Sequence, residues 1–246
     1  QLATLTKQIR EDDKLGKLVQ IGGIYENNLT KSNNTTKNLE VETEEVPTTP
    51  LPNNINQTTS KTETIDSCSR NQEEGRAIRE IQLPGSDSFK VVCVSDLEFG
   101  SGWLNVYTKW HHSNILNLTY EDYERGFAKV GNRRIADIFI GLKRLHTLTN
   151  GKPYEVLFQT MDIYKSCDKF VVGDRSEGYK IKSIGNCTGD DLWLSPKQGS
   201  KFSTYDRDED GVPDRNLAME VGFGWWFDPG MSPEIDDLLI LIRRTD

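Results

Sequence analysis

The chain has 246 residues, with 30 Lys and Arg against 38 Asp and Glu, a formal net charge of −8 and 35% hydrophobic residues. An acidic balance without a basic cluster argues against a nucleic-acid partner, and no run approaches the ~18 apolar residues of a membrane span. A mean hydropathy of −0.61 is low for a wholly globular chain, so part of it is expected not to fold, while the length still allows a domain with an ample core.

The chain begins at Gln1 with no initiating Met or signal-like segment, which suggests a processed chain or an excised piece. Over residues 1–26, Leu2, Leu5, Ile9, Leu15 and Leu18 recur near a helical period between charged residues. Two readings stay open: a short amphipathic helix, or the remnant of a coiled coil through which the chain would form a homo-oligomer. Residues 27–67 are Asn, Thr, Ser, Lys and Glu with Pro47, Pro50 and Pro52, and carry too little apolar surface to offset chain entropy. That stretch is expected to be a disordered linker. Asn-x-Ser/Thr triplets start at Asn28, Asn33, Asn34, Asn56, Asn117 and Asn186. Together with four cysteines, Cys68, Cys93, Cys167 and Cys187, they point to an oxidising, extracellular setting.

From residue 68 onward the chain reads as a domain. Ala77 to Leu83 and Phe89 to Val94 form a strand pair about the turn Pro84-Gly85-Ser86-Asp87. A further strand starts at Gly100-Ser-Gly-Trp103. The dipeptide His111-His112 has no third metal ligand in view and is read as part of an exposed loop. Thr119 and Asp122 make a capping-box pattern that opens a short helix closed near Gly126, with Tyr120, Tyr123 and Phe127 on its packed face. Ile138 to Ile140 reads as a buried strand and Leu142, Leu145 and Leu148 as one face of the next helix. His146 in that helix is expected to be structural. Tyr154 to Met161 alternates as a strand. Phe170 to Gly173 and Tyr179 to Ile184 flank the turn Asp174-Arg-Ser-Glu177. Folding about that turn sets Cys167 opposite Cys187, both ten residues from position 177, and so predicts a cross-strand disulfide. Gly173 to Gly178 mimics a phosphate loop, but Tyr179 stands where Lys is required, which excludes the nucleotide reading.

The stretch Lys201-Phe-Ser-Thr-Tyr-Asp206-Arg-Asp208-Glu-Asp210-Gly211 sets carboxylates at every second position of a loop, with Asp214 shortly after. An all-oxygen ligand set without nearby Cys or His suits calcium. The EF-hand pattern fails, because the twelfth position from Asp206 is Leu217 where a Glu is needed. The alternative is a solvated acidic turn. No Gly-x-Ser-x-Gly elbow, zinc spacing or His-Glu-x-x-His occurs among these residues, so no catalytic function is expected.

This acidic loop, followed by Gly224-Trp225-Trp226-Phe227, resembles the fibrinogen-related domain family, the C-terminal globe of fibrinogen chains, ficolins, tachylectin-type lectins, angiopoietins and tenascins. The resemblance runs back through Gly178-Tyr179, Gly141 to Thr149, Tyr120 to Phe127, Gly102-Trp103 and Ile81 to Gly85 to Cys68. It implies an α+β globe over 68–246, with antiparallel sheets, short helices and a loop-rich calcium-binding subdomain. By resemblance, Cys68 pairs with Cys93, a closure that stabilises by about 3 kcal/mol in the entropic account. The calcium ligands would be the Asp208 and Asp210 side chains with backbone carbonyls near Val212 and Asp214, and Asp206 would order the loop from outside. The family pattern breaks where Leu217 and Gly230 replace a disulfide pair. It breaks again after Pro229, where a segment forming one wall of the family's ligand pocket is missing. Trp225 and Trp226 therefore have two readings, core residues or a recognition face. The resemblance implies a secreted, calcium-dependent protein binding glycans or acetylated surface groups in innate defence. Its alternative is an extracellular ligand or matrix module that binds a protein receptor.

Overall fold

The computed structural model describes residues 65–110, 116–131, 134–160, 163–190, 192, 195–231 and 237–246. The N-terminal helix (1–26), nearly all of the linker (27–67), Asn28, Asn33, Asn34 and Asn56, and the His111-His112 loop lie outside these residues.

Strands β1 (Gly75–Ile81) and β2 (Phe89–Asp96) pair antiparallel, with Ile81 opposite Phe89 across the expected turn. Strand β3 (Gly100–Lys109) follows. Helix α1 (Tyr120–Arg125) opens on the Thr119 capping box: Thr119 Oγ1 accepts from Asp122 N at 3.2 Å, and Asp122 Oδ2 accepts from Thr119 N at 3.2 Å. Phe127 does not continue that helix, contrary to its spacing, and instead begins β4 (Phe127–Gly131). The reason is the backbone at Gly126, with φ 84°, packed so tightly against Ile140 and Gly141 that a Cβ there would lie 2.4 Å from the Ile140 carbonyl oxygen. β4 pairs with β5 (Arg134–Phe139), and α2 (Leu142–Gly151) buries Leu142, Leu145 and Leu148 as its periodicity predicts.

β6 (Tyr154–Thr160) and β7 (Ile163–Cys167) pair antiparallel. The predicted hairpin about residues 174–177 is present in shorter form: β8 (Val171–Val172) pairs with β9 (Ile181–Ser183) across a 3-10 turn at Arg175–Glu177. It docks on α2, where Asn150 Nδ2 donates to the Val172 carbonyl at 2.7 Å and His146 Nδ1 lies 2.9 Å from the same oxygen. His146 thus has the structural place expected of it. Beyond the hairpin, β10 (Cys187–Gly189) returns to β7 with Cys187 opposite Cys167. The two disulfides are Cys68–Cys93 and Cys167–Cys187, leaving no free cysteine. The second bond thus forms between strands of the large sheet rather than within the small hairpin. After helix α3 (Leu217–Val221), the last strand β11 (Leu238–Arg244) completes the fold.

Among the described residues the large sheet has nine strands, in the order β1-β2-β3-β11-β6-β7-β10, with β5 also pairing β3 and β4 pairing β5. The C-terminal strand is therefore inserted in the middle. Its Leu-Leu-Ile-Leu-Ile run suits that place, because a central strand is covered on both faces. One face carries the main core with Leu238, Ile240 and Ile242. The other holds a smaller cluster of Val92, Val94, Trp103, Leu157 and Leu241. The β2–β3 turn folds over this second cluster. Asp96 Oδ1 accepts from the Glu98 and Phe99 amides at 2.8 and 3.1 Å, Phe99 meets Tyr164 of β7 with ring centroids 4.8 Å apart, and Trp103 Nε1 donates to the Phe99 carbonyl at 3.0 Å. Arg243 closes it, stacked 4.2 Å over Trp103 and paired with Glu155 at 2.6 Å. The turn leaves Leu97 at its tip 84% exposed.

Candidate metal centre

The acidic loop stands on the aromatic core. Phe202 meets Trp226 at 4.8 Å and Tyr123 at 5.1 Å between ring centroids, and Ser203 exchanges both backbone hydrogen bonds with Trp225 at 2.9 and 3.0 Å. This two-residue bridge sets the start of the loop against the tryptophan pair. Gly224 has to be a glycine there, since a Cβ would come within 2.8 Å of Tyr123 and 2.9 Å of Phe202. Its amide donates to Tyr123 Oη at 2.8 Å, and that hydroxyl donates in turn to the Leu116 carbonyl at 2.9 Å.

Each acidic residue has a separate place. Asp206 Oδ1 accepts from the Tyr120 amide at 2.9 Å and from Thr204 Oγ1 at 2.7 Å, so it satisfies an orphan N–H of the first turn of α1 and ties the loop to that helix. Glu209 takes the cations: Lys201 Nζ lies 2.8 Å and Arg207 Nη2 3.0 Å away. The hydrogen bond from Lys201, then that from Arg207, outweigh partial burial and hold the Glu209 carboxyl below its ordinary range. Arg207 also lies 4.2 Å over the Tyr120 ring. Burial pushes the Tyr120 phenol up to about 12, against the pull of Arg207, and its buried hydroxyl has no hydrogen-bond partner among the described residues.

Asp210 turns inward and is 4% exposed. Its Oδ1 accepts from Val212 N and its Oδ2 from Leu217 N, both at 2.7 Å. Asp208 is exposed and accepts a single long bond, 3.3 Å, from the Asp210 amide. Gly211 (φ 77°) and Asp214 (φ 61°) bend the loop through left-handed backbone, which Gly adopts freely and Asp tolerates. Asn216 then caps α3, accepting from Met219 N at 2.8 Å, while its Nδ2 donates to the Thr204 and Tyr205 carbonyls at 3.3 Å.

Among the described residues no three His, Cys, Asp or Glu side chains come together on a common point. A cation here would therefore take two carboxylates, Asp208 and Asp210, and draw its remaining oxygens from backbone carbonyls of the 212–214 bend. The donor set fits calcium, which accepts carbonyl oxygens and irregular geometry. Asp206, Asp208, Asp210 and Asp214 form no ion pair within the described residues. Arg215, whose own partner is Glu220, interacts electrostatically with Asp210 without pairing to it.

Both tryptophans lie in the core. Trp225 and Trp226 are each 0% exposed, with Trp226 Nε1 donating to the Tyr179 carbonyl at 2.7 Å and Trp225 packed on Tyr107 at 5.8 Å between centroids. The recognition-face reading of these indoles is corrected accordingly: neither presents a ring face to a ligand. Where the resemblance places a disulfide, Leu217 is buried. The turn at Gly230 is held by Asp228, whose Oδ1 accepts from Gly230 N at 2.9 Å and from Lys197 Nζ at 2.8 Å. Of the two remaining sequons, Asn117 and Asn186 are both exposed. Residue order did not single out Ser203, Arg207 or Asn216 as supports of the loop, because their partners come from across the fold.

An antiparallel sheet with its last strand inserted centrally, short capped helices and a loop subdomain on an aromatic floor make this α+β architecture a fibrinogen-like globe. The fibrinogen-like globe domain of human ANGPTL2 superposes with a TM-score of 0.58 at 21% identity, covering 71% of this chain and 94% of that one. A lamprey fibrin D-dimer complexed with the peptide ligand Gly-His-Arg-Pro-amide gives 0.57 at 13% identity, covering 99% and 88%. The model for the C-terminal globular domain of fibrinogen beta and gamma chains matches residues 62–236, and the chain belongs to that family. Human fibrinogen-like protein 1 is 31% identical over 166 residues, 61% of this chain and 51% of that protein. The rat fibrinogen alpha chain is 32% identical over 174 residues, 64% of this chain and 22% of that protein. The chain thus spans about half or less of the length of these curated relatives. Among the described residues no helix is long and apolar enough to cross a membrane.

Proposed function

We propose that the chain is an extracellular, non-catalytic recognition module in which calcium holds the loop 203–217 and the bound partner is a protein or peptide. The observation that carries this reading is the pair Asp208 and Asp210, carboxylates that form no ion pair within the described residues, beside a left-handed bend. When bound, the ion would supply charge balance and stiffness rather than reaction chemistry; Asp208 and Asp210 would hold it and Asp206 would keep the loop on α1. The closed disulfides and exposed sequons support an oxidising, extracellular location. The related lamprey structure, solved with a peptide ligand, supports a partner of that class.

Burial of both indoles favours this partner over glycans or acetylated surface groups, since sugar sites commonly use an open aromatic face with polar donors. The innate-defence lectin is the second reading, and self-association through residues 1–26 would raise avidity in either case. Calorimetry with N-acetylglucosamine and acetate, with and without calcium, separates the two. The expected result is no saturable heat with either compound, together with calcium-dependent binding of the chain to intact cells that survives enzymatic removal of their glycans. Saturable, calcium-dependent heat would refute the protein-partner reading and install the lectin.

A further inference from the structure

The sequon Asn186-Cys187-Thr188 has a half-cystine as its middle residue, and the folded chain engages all three of its residues. The Asn186 amide N–H donates to Asp168 Oδ1 at 2.8 Å, its side-chain Nδ2 donates to Asp168 Oδ2 at 3.3 Å, and its carbonyl accepts from Asp168 N at 3.0 Å. Cys187 is bonded to Cys167, and Thr188 pairs with Ser166 in the β7–β10 ladder. Gly185, at φ 67° and too close to Asp168 and Lys169 for a Cβ, shapes the turn that presents Asn186 to Asp168. Asn117, the other described sequon, is in irregular chain ahead of α1 and joins no ladder.

We propose that Asn186 is an N-glycosylation acceptor whose use is decided by a race with closure of the Cys167–Cys187 bond. A glycosyl transferase acting on this sequon needs the segment free of the sheet, with the Asn186 carboxamide released from Asp168. In the transfer, Asn186 Nδ2 forms a bond to the anomeric carbon of a lipid-linked oligosaccharide diphosphate. The carbon–oxygen bond to that diphosphate breaks, and the amide proton is lost to a base. In the competing step the two thiols become a disulfide, passing two electrons and two protons to a protein disulfide that leaves as a dithiol. Once the bond closes, Asp168 and β7 hold the acceptor and the site is lost. A sugar added first stands one residue before β10, an outer strand of the sheet, where bulk also blocks edge-to-edge pairing. The proposal rests on the extracellular reading for its occurrence in the cell, but its test reads acceptor chemistry alone and is decided whatever the chain binds.

The full chain is produced without glycosylation machinery, its two disulfides are verified by peptide mapping, and it is incubated with purified oligosaccharyltransferase and lipid-linked oligosaccharide. Occupancy at Asn186 and Asn117 is read by glycopeptide mass spectrometry for the oxidised chain, the reduced chain, Asp168→Ala and Cys167→Ser, which leaves the sequon intact. Asn186 should be modified at least about tenfold less in the oxidised chain than in Cys167→Ser, because a cross-linked strand end opens only locally and rarely. Asp168→Ala should fall between them, and Asn117 should be alike in all. Equal Asn186 occupancy in oxidised and Cys167→Ser chains would overturn the proposal. So would no modification at Asn186 in any arm, or a rise by the same factor at both sites, which would mark general unfolding instead of release of this strand.

Discussion

Two neutralising substitutions in one loop should behave differently because their carboxylates have different partners. Asp208 is exposed and holds one 3.3 Å bond that an amide oxygen can equally accept, so Asp208→Asn in chelator should stay within about 0.5 kcal/mol of the parent. Asp210 accepts two backbone N–H groups at 2.7 Å. Asn offers one acceptor, leaving a buried donor unmatched at a cost of about 1–3 kcal/mol with or without calcium. Calcium adds a second effect. With a dissociation constant of ~10⁻⁴ to 10⁻³ M, as in extracellular modules, ~10 mM ion stabilises the parent by about 1.4–2.7 kcal/mol. For a globe of this size that is roughly 3–11 °C in Tm. Calorimetric melting of the parent and both variants in calcium and in chelator reads all of this. Asp208→Asn should melt with the parent in chelator and lose most of the calcium increment, while Asp210→Asn should melt lower in both buffers. A full calcium increment in Asp208→Asn, or no increment in the parent, would refute the assignment of the ion to this loop.

The remaining expectations concern the floor beneath the loop. Tyr120→Phe removes a buried hydroxyl that has no partner among the described residues, and should be neutral or stabilising by up to about 2 kcal/mol at pH 7; a clear loss in denaturant titration would contradict the burial argument. Because the Tyr120 phenol is raised to about 12 in the folded chain, its neutral form supplies stability below pH ~10 that is lost as pH rises towards 12, so this variant should also flatten the alkaline decline. Glu209 works in the opposite sense: its lowered pKa supplies stability present above its ordinary value near ~4.3 and lost as pH falls through the folded value. Glu209→Gln should therefore weaken the acid dependence of Tm, and an unchanged acid limb would show that Lys201 and Arg207 do not stabilise the carboxylate. Gly224→Ala forces a methyl into the rings of Tyr123 and Phe202; urea unfolding should show a loss of about 1–3 kcal/mol, and a neutral outcome would mean that the aromatic floor yields.

Much of the globe is legible in residue order. The turn chemistry of Pro84 to Asp87 marks the β1–β2 pair, alternation marks β6, the Thr119–Asp122 pair marks the start of α1, the leucine spacing marks α2, and the distance of Cys167 and Cys187 from a common turn marks their bond. These signals are local, because capping, periodicity and turn chemistry are settled by residues a few positions apart. β7 and β10, short strands at the sheet margin with polar and small residues between apolar ones, carry no such pattern. Phe127 keeps helical spacing yet opens a strand, since its helix is stopped by two glycine backbones in contact, and Gly141 is far from Gly126 in sequence.

By itself, then, the order of residues determined the capped helix, the Cys167–Cys187 pairing and an acidic, oxygen-rich loop. Only tertiary structure decided that β11 lies between β3 and β6, that Asp206 accepts from the Tyr120 amide 86 positions away, and that Trp225 and Trp226 are sealed beneath the loop. Those outcomes depend on which apolar faces fit against each other, and a long chain closes on such contacts at an entropic cost that grows only slowly with separation.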